Sequence, residues 1–116
     1  MTEKTEPRRG EVWEVRLDPV EGHEQGGTRP ALVLSVNAFN AGRADLVVVA
    51  PISTRDQQVL WHVPAAPPEG GLKRVSYVKC EDLRAVSKSR LKRRWGTVSG
   101  DTMGAVSDRL RVLLDL

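Results

Sequence analysis

One helical period, confined to the C-terminus, most constrains what this chain can fold into. Met103, Val106, Leu110 and Leu113 recur at spacings of three and four and give a helix one apolar face. Ser99 is a good N-cap for it, and the Asp101 carboxylate suits the positive helix end that follows. Gly104 weakens such a helix by up to about 1 kcal/mol relative to alanine, so packing must hold it. The residues before Ser99 read mostly as strands. Trp13, Val15 and Leu17 alternate with Glu14 and Arg16, the period-two pattern of a half-buried strand. The continuous apolar run 31–36 fits a strand buried on both faces. Residues 37–42 read as a turn or short helical excursion, and 46–52 as a β-branched strand with Pro51 at an edge or bulge. Trp61–Val63 and Val75–Cys80 are further short strands, 64–71 is a loop, and 94–99 is one more strand after a basic turn. Five or six short strands capped by one helix predict a small, strongly bent sheet or barrel with the helix covering it.

At 116 residues the chain is one domain, with residues 1–7 expected to be a frayed tail and 8–116 a single folded unit. No apolar run of about 18 residues is present, so no helix is expected to span a membrane. The N-terminus lacks the apolar core of a signal peptide, and the single cysteine, Cys80, cannot form an internal disulfide. Both point to a cytoplasmic protein. His23 and His62 are the only histidines, which makes a zinc site hard to assemble.

Charge is unevenly placed. Residues 1–72 carry seven Lys/Arg against ten Asp/Glu, and residues 73–116 carry eleven against five. Lys88, Arg90, Lys92, Arg93 and Arg94 crowd next to Trp95. Such a cluster attracts a polyanion, and the adjoining indole offers a face on which a base can stack. The plainer reading of the same residues is a solvated charged turn. Trp13 and Trp61 sit in strand patterns and are expected in the core or at a dimer interface, and Cys80 is expected to be a buried small hydrophobe.

The stretch from Asp18 to Pro30 stands apart. A dozen residues with three glycines and several ionisable groups connect two strands that a much shorter turn could join. Long polar loops on a rigid scaffold commonly carry function. Arg29 precedes a proline, which pushes its backbone towards extended geometry and holds one guanidinium where the loop meets the next strand.

These residues resemble the MazF/PemK-type toxins. The matching segments are Arg9-Gly-Glu-Val-Trp13, then Gly22-His-Glu-Gln-Gly-Gly-Thr-Arg-Pro-Ala-Leu-Val-Leu-Ser35. Ala50-Pro-Ile-Ser53, Gly71-Leu-Lys73, Val78-Lys-Cys-Glu-Asp-Leu-Arg84 and the closing Leu110–Leu116 follow in the same order. The resemblance implies an SH3-like small barrel with a C-terminal helix, the plug shared with the gyrase poison CcdB. It implies a homodimer neutralised by a MazE-like antitoxin, whose extended acidic segment lies in the RNA groove. The implied activity is cleavage of single-stranded RNA at short sequences, with no metal or cofactor, leaving a 2′,3′-cyclic phosphate and a 5′-hydroxyl.

By the same resemblance Arg29 is the principal catalytic residue. Its fork of donors suits the equatorial oxygens of a pentacoordinate phosphate, whereas a pKa above about 12 makes it a poor base. Ser53 falls where the family usually carries a catalytic threonine, and Thr54 takes the role if the register shifts by one. Strand alternation would let only one of the two face the site. His23, Glu24, Gln25 and Thr28 of the loop, with Glu81, Asp82 and Arg84, are implied to contact substrate. His23 replaces a common serine, and a solvated loop histidine is its plainer reading. Asp82 replaces a common glutamine, an exchange that alters which base edges are accepted. Arg84 either reaches the groove or makes a structural ion pair. Two further readings stay open: a CcdB-like poison that binds gyrase without catalysis, and a degenerate homologue that binds RNA or antitoxin without cutting.

Overall fold

The computed structural model describes residues 6–17 and 27–116. Seven antiparallel strands make the body: β1 (Glu11–Arg16), β2 (Thr28–Val33), β3 (Leu46–Ser53), β4 (His62–Ala65), β5 (Ser76–Lys79), β6 (Arg84–Ser87) and β7 (Leu91–Thr97). They run in the order β4-β5-β3-β2-β1-β7, with β6 also pairing β3. A short helix α1 (Asn37–Asn40) links β2 to β3, and α2 (Gly100–Leu114) closes the chain. Among the described residues no helix is long and apolar enough to cross a membrane.

The central strands are buried on both sides because the bent sheet packs a core on each face. Trp13, Val15, Ala31, Val33, Val47, Val49, Val86 and Leu91 fill one cluster, in which residues of β6 and β7, the two ends of the bend, meet. Leu32, Ala50, Ile52, Val63, Val78, Cys80 and Val106 fill the other, under α2. This is why residues 31–34 form a continuous apolar run. The expectation for α2 holds in detail. Ser99 Oγ accepts from Thr102 N–H at 3.1 Å, and Val106 is fully buried against the sheet. Arg109 Nε donates to Leu60 O at 2.8 Å, tying the helix to the approach to β4.

Several boundaries differ from expectation, each for a local reason. Pro51 lies inside the central strand β3 rather than at an edge. It falls between Val49, the last residue of β3 paired to β6, and Ile52, the first paired to β5. The strand changes partner there, so a missing N–H costs no ladder bond on that side. Pro64 is not in a loop but in β4, which is an edge strand and tolerates it. Strand β6 has only four residues and carries Arg84 and Ser87 among its members, too weak a pattern to read. The supposed basic turn is mostly strand. Only Lys88–Arg90 turn, as one 3₁₀ segment, and Lys92, Arg93 and Arg94 belong to β7.

The 3₁₀ turn Glu69–Gly71 packs directly on β7. Glu69 Oε1 accepts from Ser99 N–H at 3.0 Å and so fastens this turn to the start of α2. Burial acts to raise the Glu69 carboxyl, but bonds from Ser99, Thr102 and Ala66 outweigh it and hold the group below its ordinary 4.5. Cys80 is wholly buried, as expected, and that burial pushes its thiol up to about 11. Gly104 faces open space, where an added Cβ meets no atom within 4 Å. Gly104→Ala is therefore expected to stabilise the fold by up to about 1 kcal/mol, raising the thermal midpoint by about 4 °C in calorimetry.

Candidate active site

Strand pairing builds the site. In the β2–β3 ladder Ala31 faces Pro51, Leu32 faces Ala50 and Val33 faces Val49. Arg29 lies two residues before Ala31 and pairs with Val15 of β1, Ser53 lies two residues after Pro51, and both line one cleft. The other side of Ser53 is paired with Tyr77 of β5. The foot of the long connection is pinned, since Leu17 N–H donates to Gly27 O at 2.8 Å. A guanidinium and a hydroxyl are thus brought together by backbone pairing, with three strands holding them.

Arg29, Ser53 and Thr54 line a cleft of about 630 Å³. Its other cations are Lys73, Arg74, Arg93 and Arg94, and its apolar lining is Pro30, Ile52, Leu72 and Trp95. No Asp or Glu lines it among the described residues. The same three residues also line a second cavity of about 320 Å³, completed by Arg55, Gln57 and Lys79. Arg29, Ser53 and Thr54 therefore form a wall common to two cationic cavities.

The charges in this lining are not equally available. Arg94 Nε donates to Glu11 at 2.8 Å, and that buried carboxylate also accepts from Trp13 Nε1 and from Arg8 N–H. Arg93 reaches Glu14 only at 3.7 Å, an exposed and loose pair that contributes little. Lys73 and Arg74 are exposed and carry no ion pair among the described residues. The Ser53 Oγ accepts from Arg55 N–H at 3.1 Å, which orients the hydroxyl and leaves its proton to donate. Both Ser53 and Thr54 face the cleft, contrary to strict alternation, because β3 ends at Ser53 and the pleat ends with it.

The remaining expected site residues are placed differently. Glu81 holds His62 Nε2 at 2.8 Å, and the side chain of His62, at the start of β4, is buried. Arg84 makes an ion pair with Asp82 at 2.8 Å, both side chains being largely buried. Of the two readings of Arg84, the ion pair is the one observed. None of Glu81, Asp82 and Arg84 lines either cavity, nor does Thr28, which is exposed opposite Arg16. His23, Glu24 and Gln25 lie outside the described residues. The basic cluster also divides. Lys88 binds Glu6 and the Asn40 carbonyl, and Arg90 donates to Arg16 O, so Arg93 and Arg94 alone of the five reach the cleft. Sequence reasoning missed Lys79, Arg55 and Gln57. The signal for Lys79 was a register, Ser53 against Tyr77, that only the folded sheet supplies.

Comparison with known proteins agrees with this geometry. Residues 8–114 match the family described as PemK-like, MazF-like toxin of type II toxin-antitoxin system. The endoribonuclease PemK of Escherichia coli is 34% identical over 110 residues, covering 90% of this chain and 82% of that protein. The crystal structure of MazF from Deinococcus radiodurans superposes with a TM-score of 0.86 at 29% identity, covering 97% of this chain and all of the other (100%). A MazE–MazF crystal structure from the same organism gives 0.78 at 31% identity, over 97% and 99% of the two chains. The seven-stranded bent sheet and its closing helix are the fold of these MazF structures. With a family match across nearly its whole length, this chain belongs to the PemK-like, MazF-like toxins of type II toxin–antitoxin systems.

Proposed function

We propose that this protein is an endoribonuclease toxin that cuts single-stranded RNA, with Arg29 and Ser53 as its catalytic residues. The observation that carries the reading is that Arg29 and Ser53 line one cationic cleft at adjoining strand ends. The RNA supplies the nucleophile. Its 2′-oxygen bonds to the adjacent phosphorus while the bond from phosphorus to the 5′-oxygen breaks. The 2′-hydroxyl proton leaves, the 5′-oxygen gains one, and no water is consumed. The products are a 2′,3′-cyclic phosphate and a 5′-hydroxyl. Negative charge on the non-bridging oxygens rises in the transition state, where the Arg29 fork and the Ser53 O–H donate to it. Thr54 stands beside them as a second donor.

The cleft chemistry suits RNA. Lys73, Arg74 and Arg93 favour a phosphate backbone, and Trp95 beside Leu72 and Pro30 offers an apolar wall for one base. Among its described residues the lining is cationic and holds no carboxylate, which suits a phosphodiester. Homodimerisation, a cytoplasmic location and neutralisation by a MazE-like antitoxin belong to the same proposal, supported by the antitoxin-bound relative. An acidic antitoxin segment is drawn to the charges that draw RNA. The gyrase-poison alternative has no use for an Arg–hydroxyl pair at the end of a cationic cleft.

The test is digestion of a long single-stranded RNA by purified, antitoxin-free protein in excess EDTA, with product ends mapped. Discrete cuts bearing cyclic phosphate and 5′-hydroxyl ends are expected, together with unaltered supercoiling by purified gyrase. Intact RNA alongside inhibited gyrase would reverse the reading.

A further inference from the structure

The second cavity is not needed to describe the chemistry at Arg29, yet it abuts the same wall. We propose that it is a second phosphate site for the same RNA strand, in which Arg55 and Lys79 bind the phosphodiester next to the scissile one. The inference rests on the ribonuclease reading and adds a subsite to it. A phosphodiester seated on the Arg29–Ser53–Thr54 wall continues in two directions, so one neighbouring nucleotide enters each cavity. The two cavities differ sharply in lining. The larger holds Trp95, Leu72, Ile52 and Pro30 and can cover a base. The smaller is completed by Arg55, Gln57 and Lys79, with no hydrocarbon or aromatic side chain and no carboxylate among its described lining. Burying a base there would desolvate charges without return, whereas an anion gains charge-assisted bonds from several donors.

The fold holds these donors where the strand would pass. Ser53 pairs with Tyr77, two residues before Lys79, and alternation puts Tyr77 and Lys79 on one face. Lys79 also pairs with His62 of β4, which fixes its backbone in the sheet. Arg55 is fastened through its own N–H to Ser53 Oγ, which couples its placement to the catalytic hydroxyl. Gln57 adds an amide that can donate to a phosphate oxygen.

The experiment uses an uncleavable oligonucleotide carrying the mapped target sequence, with 2′-deoxyribose at the cut. Each phosphate flanking the cut is replaced in turn by a neutral methylphosphonate. Affinities are measured by fluorescence polarisation for the wild type, Arg55→Gln, Lys79→Gln and the double variant. One of the two flanking replacements is expected to weaken wild-type binding about tenfold and to have almost no effect in the double variant. Arg55→Gln alone, at an exposed position, keeps the test decisive if Lys79→Gln disturbs the sheet. Equal losses in wild type and double variant, with cleavage intact, would overturn the subsite and leave the nuclease reading standing. Undiminished RNA affinity in the double variant with weakened antitoxin binding would likewise overturn it, assigning the cavity to a polypeptide. A wild type that binds no RNA would remove both.

Discussion

Replacing Arg29 with alanine is expected to slow RNA cleavage by a factor of about 10² to 10³ or more while leaving the fold intact. Loss of one preorganised donor to an oxyanion typically costs about that much, and Arg29 offers two in a fixed fork. Its side chain is exposed at the mouth of the cleft and forms no part of either core cluster, so its removal opens no cavity. Arg29→Lys should recover little, because a single ammonium cannot meet two equatorial oxygens at once. Ser53→Ala is expected to cost less, about tenfold to a hundredfold, since Thr54 lines the same wall. Thr54→Ala should cost less again, as Thr54 lies past the end of the paired register. Single-turnover cleavage, with thermal midpoints measured beside it, separates these cases. Near-normal cleavage by a folded Arg29→Ala variant would sink the assignment of the site.

The second large effect is on stability. Gly71→Ala is expected to destabilise the protein by about 3 kcal/mol or more, lowering the thermal midpoint by about 10 °C or preventing folding. Two costs add there. Gly71 has φ of +70°, where a residue with a Cβ is strained by about 1–2 kcal/mol. That Cβ would also lie 2.4 Å from the backbone carbonyl oxygen of Trp95, and a backbone atom cannot turn aside as a side chain can. Gly96, on the facing strand, is the counterpart, since its Cβ would meet Gly71 N at 2.8 Å. Both glycines let the 3₁₀ turn lie directly on β7, and this contact carries Leu72, Lys73 and Arg74 to the cleft beside Trp95. A surviving Gly71→Ala protein should therefore bind RNA more weakly as well. Gly104→Ala, with open space and gain instead of loss, is the control within the same chain.

What was legible in the sequence was local. The period of α2, its Ser99 cap and the alternation of β1 depend on residues near one another, so the chain itself declares them. The loop ending in Arg29-Pro30 was legible for the same reason, with proline restricting the residue before it. The short strand β6, the strand character of Lys92 and Arg93 and the tolerance of Pro51 were not, because each depends on which strand lies alongside. Arg84 shows the same limit. Its residue type fits RNA contact and ion pairing equally, and only the position of Asp82 separates the two.

The sequence by itself determined the family and the mainly β order with one closing helix, and it singled out Arg29 as the proposed catalytic residue, because motif and period survive without coordinates. Tertiary structure alone decided that Ser53 and Thr54 share one wall with Arg29, and that Arg93 and Arg94 rather than Lys88 and Arg90 reach the cleft. It alone brought Lys79 to the active site. The physical reason is register. Pairing between strands distant in the chain sets which side chains meet, and a shift of one residue would send every one of them to the opposite face.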